Sequence, residues 1–376
     1  MIYLDNASTT KPSKRALDAA MQAAEAFGNP SSLHRMGMGA EKLVKDAKQM
    51  VAAQLGTAPK SVYFTSGGTE ANNTAIFGYV HAHKKEGTHI ITTKIEHPSV
   101  MEPFRVLEAQ GFDVTYLDVN SDGVVEIDAL EDALRGDTVL VSVMHVNNET
   151  GMIQPVDRIK PVMKRQAPKA ALHVDAVQSF CKIPCKMRQW GVDMLSVSGH
   201  KIHALKGIGA LVFSEGVRIS PILHGGGQQN GIRPGTENVV GIASLGAMAN
   251  EITDMAYLSR LRMRLKQGLE AIEDIKINGS DEYAAGNILN VSFCGIKAEI
   301  LLHALEANGI YVSTGSACSS NKPSPSHVLT AMGCTPREID GAIRFSLDEA
   351  VTEEQIETVI ETVRQEVATI RRYVRK

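Results

Sequence analysis

No stretch of this chain approaches the ~18–20 consecutive apolar residues needed to cross a bilayer, so no membrane role is expected. Its first residues, Met1-Ile2-Tyr3-Leu4-Asp5-Asn6, lack a basic region followed by an apolar stretch. No secretory signal is therefore expected, and a cytoplasmic setting is. Neither sign of charge is in excess. The 39 basic and 42 acidic residues leave a net charge of −3, which gives no broad electrostatic case for nucleic acid. Internal repeats and low-complexity tracts are missing, as are the Walker A and GxGxxG patterns, which weakens a dinucleotide enzyme. The five cysteines, Cys181, Cys185, Cys294, Cys318 and Cys334, are an odd number and make a poor disulfide framework. Free thiols in a reducing compartment are the better reading. Cys181 and Cys185 are spaced C-x3-C with no second Cys/His pair nearby, and tetrahedral zinc wants four ligands, so no metal is expected.

What is present is the composition of an ordinary globular protein: 376 residues, 43% of them apolar and 22% charged. That length suits two domains, or one large domain with a lobe. Short β-branched runs at 62–65, 89–93, 112–119, 138–146, 171–174, 193–197 and 208–213 read as strands. Helical patterns at 16–27, 40–55, 99–110 and 127–134 fall among them. This alternation predicts a mostly parallel sheet with helices on both faces and an active site beyond the carboxyl ends of the strands. After about residue 250 the pattern changes. A helix is expected over 252–275, then a strand at 287–293, a helix at 299–308 and strands at 311–313 and 343–346. A final helix opens on Thr352-Glu353-Glu354-Gln355, a capping-box pattern. Its basic end, Arg371, Arg372, Arg375 and Lys376, reads as cations favourably placed at a helix C-terminus.

The chemistry-bearing residues follow strands. Lys201, in Ser198-Gly199-His200-Lys201, stands where a Schiff base to an aldehyde cofactor can form, or is simply a surface lysine. Asp175, in His173-Val174-Asp175-Ala176-Val177-Gln178, suits the acid that pairs with the protonated ring nitrogen of pyridoxal phosphate, with Gln178 beside the ring hydroxyl. A helix-capping aspartate is the alternative. The run Thr65-Ser66-Gly67-Gly68-Thr69-Glu70 opens a helix, where glycines let the backbone approach a phosphate and Thr69 adds a donor. His97 follows Glu96 after a strand and can stack on a planar group or move protons near neutral pH. His145-Val146-Asn147-Asn148-Glu149 brings further polar groups to a strand end. Arg344 is a charge inside an apolar strand, which demands a partner. A substrate carboxylate and a structural ion pair both satisfy it. Cys318 lies in Thr314-Gly315-Ser316-Ala317-Cys318-Ser319-Ser320-Asn321-Lys322-Pro323-Ser324-Pro325-Ser326, a small, polar, proline-broken segment that reads as an exposed loop with a reactive thiol. Cys294 reads as core and Cys334 as partly exposed.

Taken in order, these motifs resemble the cysteine desulfurases of the NifS/IscS family, in the class V branch of fold-type I pyridoxal-phosphate enzymes. The resemblance covers nearly the whole chain. It includes Tyr3-Leu4-Asp5-Asn6-Ala7-Ser8-Thr9-Thr10, Gly28-Asn29-Pro30-Ser31-Ser32, His224-Gly225-Gly226-Gly227-Gln228 and Arg233-Pro234-Gly235-Thr236-Glu237. It implies an α/β fold: a large domain over 14–255 with a mostly parallel seven-stranded sheet, and a smaller α/β domain from 1–13 and 256–376. By the same resemblance Lys201 carries pyridoxal 5'-phosphate, Asp175 pairs with the ring nitrogen, Gln178 with the phenolic oxygen, and His97 stacks over the ring. Gly68, Thr69, Ser198 and His200 hold the phosphate, joined by Thr236 from the other subunit of a homodimer. Asn148 and Arg344 hold the carboxylate of L-cysteine. Cys318 takes the sulfur as a persulfide, releasing L-alanine, and passes it to an acceptor protein for iron–sulfur cluster assembly or tRNA thiolation. The chain stops soon after the last helix, without the C-terminal extension of housekeeping IscS proteins, which leaves room for a dedicated acceptor. A selenocysteine lyase, another class V aminotransferase, or a silent partner-binding protein on the same fold are the alternatives.

Overall fold

The computed structural model describes residues 1–314 and 325–374. Seven strands form one sheet in the order Val62–Thr65, Gly209–Phe213, Met194–Ser198, Ala171–Asp175, Thr138–Met144, His89–Thr93 and Asp113–Leu117. Only Gly209–Phe213 runs against its neighbours. This is the expected mostly parallel α/β sheet. Its strands are apolar runs because helices cover both faces, and all but the edge strand Asp113–Leu117 are buried along their whole length. The parallel strands deliver Thr65, Thr93, Met144, Asp175 and Ser198 to one rim. One register below Asp175, buried His173 ties three strands together. Its Nδ1 meets Ser142 Oγ at 2.8 Å and its Nε2 meets Ser196 Oγ at 2.9 Å. Burial pushes this imidazole down to about 3, so it stays neutral.

Helix starts fall earlier than the apolar pattern indicates because polar side chains cap them. Ser13 Oγ accepts the Ala16 N–H ahead of Lys14–Glu25, and His34 Nδ1 accepts the Gly37 N–H ahead of Arg35–Leu55. The helix Val239–Met248, not anticipated from the sequence, packs on both of these. The helix expected over 252–275 is Met255–Glu270. Asp254 caps its start, and after it the chain turns through Asp274 at φ 54° into the unforeseen strand Ile275–Asn278.

A second core gathers Leu4, Leu258, Leu289, Phe293, Leu305, Phe345 and Ile356 around an antiparallel sheet ordered Ser313–Thr314, Ala342–Ser346, Ile288–Phe293 and Ile275–Asn278. The single strand expected at 311–313 is two. Ile310–Tyr311 pairs in parallel with Ile2–Tyr3, while Ser313–Thr314 pairs with Ala342–Ser346. Beyond Leu4 the N-terminal segment crosses to the other core, where Thr10 N–H donates to His200 O at 2.9 Å. The helix Glu353–Val374 has the expected reciprocal cap between Thr352 and Gln355. Arg371 does not serve its own helix end: it donates to Glu273 O at 2.7 Å and Asp274 O at 3.0 Å.

Candidate active site

At the rim of the seven-stranded sheet lies a cavity of about 270 Å³. Gly68, Thr69, His97, Asn148, Asp175, Gln178, Ser198, His200, Lys201 and Arg344 all line it. Of the cofactor- and substrate-binding residues that the family resemblance implies, Thr236 does not. It is exposed, on the loop after Arg233. Cys318 lies outside the described residues.

The helix Gly68–His83 points its N-terminus at the cavity. No described side chain caps Gly67, so the first-turn N–H groups face inward unclaimed by the helix. Gly68 permits this closeness: a Cβ there would stand 2.8 Å from Val177 Cγ2. Arg233 and Glu70 tie the exposed loop to this helix, with Nε 2.9 Å from the carboxylate, whose other oxygen accepts the Ser66 N–H. Ser198 Oγ, buried beside Gly68, has no hydrogen-bond partner among the described residues.

Asp175 ends its strand 5% exposed, with Oδ1 accepting the Val177 N–H at 2.9 Å and Oδ2 accepting Asn72 Nδ2 at 2.8 Å. Both bonds fix the orientation of the carboxylate. Gln178 donates from Nε2 to Ala7 O at 2.9 Å, and its buried Oε1 is unpartnered among the described residues. The Lys201 ammonium, on the turn Gly199–Lys201, donates to the carbonyls of Ala7 at 2.5 Å and Ser8 at 2.6 Å.

His97 caps the helix Pro98–Ala109. Its Nδ1 accepts the Ser99 N–H at 3.1 Å, which leaves the proton of the neutral ring on Nε2. Burial lowers its pKa, opposed by Asp175 and reinforced by Lys201 and His327. His200 is pushed down to about 4, first by burial and then by Lys201 and other cations, and its Nδ1 lies 3.2 Å from Thr9 Oγ1.

Arg344 has the structural ion-pair partner that its place in an apolar strand demands. Nη1 donates to Asn148 O at 2.8 Å, and Nη2 donates to Asp5 Oδ1 at 2.7 Å and Ser8 Oγ at 2.6 Å. It makes a structural ion pair while lining the cavity, where its buried Nε has no partner among the described residues.

Sequence reasoning missed Asn72, fully buried and bonded to Asp175, although it sits one helical turn after Gly68. It gave no role to Asp5, Ala7 and Ser8, whose only signal was their place in the N-terminal motif. The four described cysteines are all buried. Cys334 is core and not partly exposed, because it packs with Leu329 and Met332. Burial raises all four thiols, Cys185 to about 11.

An aminotransferase class-V family model matches residues 2–359, and the chain belongs to that family. Within it, the chain sides with proteins named for a single reaction. It is 46% identical to a protein from Nostoc sp. (strain PCC 7120 / SAG 25.82 / UTEX 2576) named "Cysteine desulfurase", over 99% of this chain and 94% of the relative. A solved "NIFS-LIKE PROTEIN" superposes with a TM-score of 0.92 at 37% identity, covering 98% of this chain and 99% of the other. A structure titled "SspA in complex with cysteine" superposes with a TM-score of 0.83 at 33% identity, covering 93% and 99%.

Proposed function

We propose that this chain is a pyridoxal-phosphate-dependent cysteine desulfurase that converts L-cysteine to L-alanine and carries the sulfur on Cys318. One observation carries this reading: a lysine amine, a hydrogen-bonded carboxylate, an imidazole and an open helix N-terminus converge on one small cavity. The cysteine desulfurase relatives supply the substrate class.

The residues fit the cofactor. The first-turn N–H groups at Gly68 and Thr69, with the Ser198 hydroxyl, which has no partner among the described residues, and the His200 ring, suit a phosphate. Asp175, oriented by the Val177 N–H and Asn72, is placed to face a protonated ring nitrogen, and Gln178 offers polar atoms at the ring hydroxyl. When bound, pyridoxal phosphate supplies an electron sink for the substrate's Cα electrons. Lys201 is the group that anchors it and moves the Cα proton. His97, neutral through burial, presents an Nε2–H donor. Arg344 and Asn148 orient the substrate carboxylate, and Arg344 brings to it an Nε–H that has no partner among the described residues. The Cys318 thiolate then attacks the substrate sulfur. An S–S bond forms, the substrate Cβ–S bond breaks, and L-cysteine plus thiol becomes L-alanine plus persulfide, with no outside oxidant.

Three further parts belong to the same proposal. The chain divides into a large unit over 14–255 and a small one from 1–13 with 256–376, supported by the two separate cores. It works as a homodimer in which exposed Thr236 completes the partner's phosphate site, supported by its exclusion from its own cavity. Persulfide sulfur passes to an acceptor protein in the cytoplasm. No helix of the described residues is long and apolar enough to cross a membrane.

Borohydride treatment of the cofactor-loaded protein tests the core of the reading. It should fix pyridoxal phosphate to Lys201 and end alanine formation from L-cysteine. A protein that takes up no pyridoxal phosphate contradicts it. Light scattering tests the dimer, and an active monomer refutes it.

A further inference from the structure

The described chain resumes after Cys318 at Pro325, and the residues from Ser326 to Leu329 are tied to the active site in three ways. Ser326 Oγ donates to Glu149 Oε2 at 2.6 Å while accepting the Leu329 N–H at 3.1 Å. His327 Nε2–H donates to the main-chain carbonyl of Glu96 at 2.8 Å, next to His97. Val328 and Leu329 pack with Ile95 and Met144 in one buried cluster, and Met144 lines the cavity.

Glu149 is itself rigidly mounted. Its N–H donates to Asn147 Oδ1 at 2.9 Å, and its carbonyl accepts Asn290 Nδ2 at 3.1 Å. Asn147 in turn donates from Nδ2 to Ile95 O at 3.0 Å. The residue between, Asn148, lines the cavity and gives its carbonyl to Arg344. Glu149 is 5% exposed and does not line the cavity, so it touches neither substrate nor cofactor in the proposed reaction. A carboxyl is costly to bury and needs a structural or functional return.

We propose that Glu149 is a positioning residue for sulfur transfer: through Ser326 it fixes where the Cys318 segment rejoins the fold, on the same short turn that presents Asn148 to the substrate. This rests on reading Cys318 as the sulfur acceptor. The thiol must meet the substrate sulfur, and its encounter frequency depends on where its chain is anchored relative to the bound carboxylate. One turn carrying both the carboxylate site and the anchor keeps that offset constant.

The experiment uses the full chain loaded with pyridoxal phosphate and compares wild type with Ser326→Ala, Glu149→Ala, Glu149→Gln and the Ser326→Ala/Glu149→Ala double variant. Absorbance titration gives the Kd for L-cysteine. Quenched samples and peptide mass spectrometry give the rate at which sulfur reaches Cys318. Loss of the hydrogen bond should slow sulfur arrival about tenfold in both alanine variants, with Kd within about twofold of wild type. Glu149→Gln keeps an acceptor for the Ser326 hydroxyl and should recover most of the rate. The double variant should be no slower than the slower single, because both remove one contact. Wild-type transfer rates in the alanine variants, additive losses, or a loss confined to Kd overturn the proposal. Ser326→Ala decides it alone if Glu149→Ala does not fold. Wild type that puts no sulfur on Cys318 overturns the desulfurase reading and this proposal with it. Normal persulfide in both wild type and variants overturns this proposal only.

Discussion

Arg344 and Asp5, from opposite ends of the chain, form an ion pair with Nη2 2.7 Å from Oδ1. The guanidinium side chain is 4% exposed and would be a costly lone cation without that carboxylate. Nη2 also serves Ser8, and Nη1 holds the Asn148 carbonyl. The cation proposed to bind substrate is therefore locked in place before substrate arrives, with Nε kept in reserve.

Arg344→Lys removes the planar fork while keeping the charge. One ammonium cannot serve Asp5, Ser8, Asn148 and a substrate carboxylate from the same positions. KM for L-cysteine should rise roughly 10- to 100-fold, the worth of one or two charge-assisted hydrogen bonds, with a smaller fall in kcat. Steady-state kinetics checks this, and a KM within twofold of wild type contradicts it.

The fold was legible where hydrophobic periodicity acts over several residues. The seven-stranded sheet and its crossover helices are local patterns repeated along the chain. What escaped depends on single polar contacts or distant partners. Ser13 and His34 move helix starts by one bond each. The split at Val312 exists because Tyr311 and Ser313 pair with strands from opposite ends of the chain. In the site, residues at strand ends could be read because chemistry concentrates there. Asn72, Asp5 and Ser326 could not, since each acts on a residue far away in sequence and looks locally like any polar side chain.

Asn72 should matter through Asp175. Asn72→Ala removes the donor to Oδ2 and leaves the Val177 N–H on Oδ1. The carboxylate loses one of the two bonds that orient it, so kcat should fall about tenfold. Asp175→Asn removes the charge itself and should cost more, together with weaker retention of pyridoxal phosphate on dialysis. Equal losses in the two variants would show that Asn72 acts by something other than holding Asp175.

Glu96 sets a pH dependence of stability. Its fully buried carboxyl is pushed up to about 8 by burial, against hydrogen bonds from Met144 N–H and the Thr93 hydroxyl. The unfolded chain releases this proton near 4.5. Between those values the folded protein binds the proton more tightly. The contribution is therefore complete below 4.5 and is lost as pH rises through 8. Glu96→Gln removes the titration, so its Tm relative to wild type should improve steadily from pH 5 to pH 8. The gain by pH 8 is on the order of a few kcal/mol. Thermal melts across that range check it, and a Tm difference that does not vary with pH contradicts it. His145, lowered to about 4 by burial, acts in the opposite sense: its contribution is lost as pH falls from about 6.5 toward 4, equally in wild type and Glu96→Gln, so it cancels in the Tm difference.

The cysteines give a sharper chemical contrast. Burial raises all four described thiols, so few are thiolates at neutral pH. Iodoacetamide at pH 7.5 should label Cys318 first and abolish sulfur transfer in step with that labelling, while Cys318→Ala should show no fast phase. Fast labelling of Cys181, Cys185, Cys294 or Cys334 would refute this ordering.

The most direct measurement is a single incubation of cofactor-loaded protein with L-cysteine and no acceptor, followed by alanine quantitation and peptide mass spectrometry. One alanine should form in the first turnover for each persulfide found on Cys318, and Cys318→Ala should bind L-cysteine with the same spectral change yet hold no persulfide. Absence of alanine, or sulfur on one of the four buried cysteines with Cys318→Ala fully active, would contradict the assignment of both the reaction and its nucleophile.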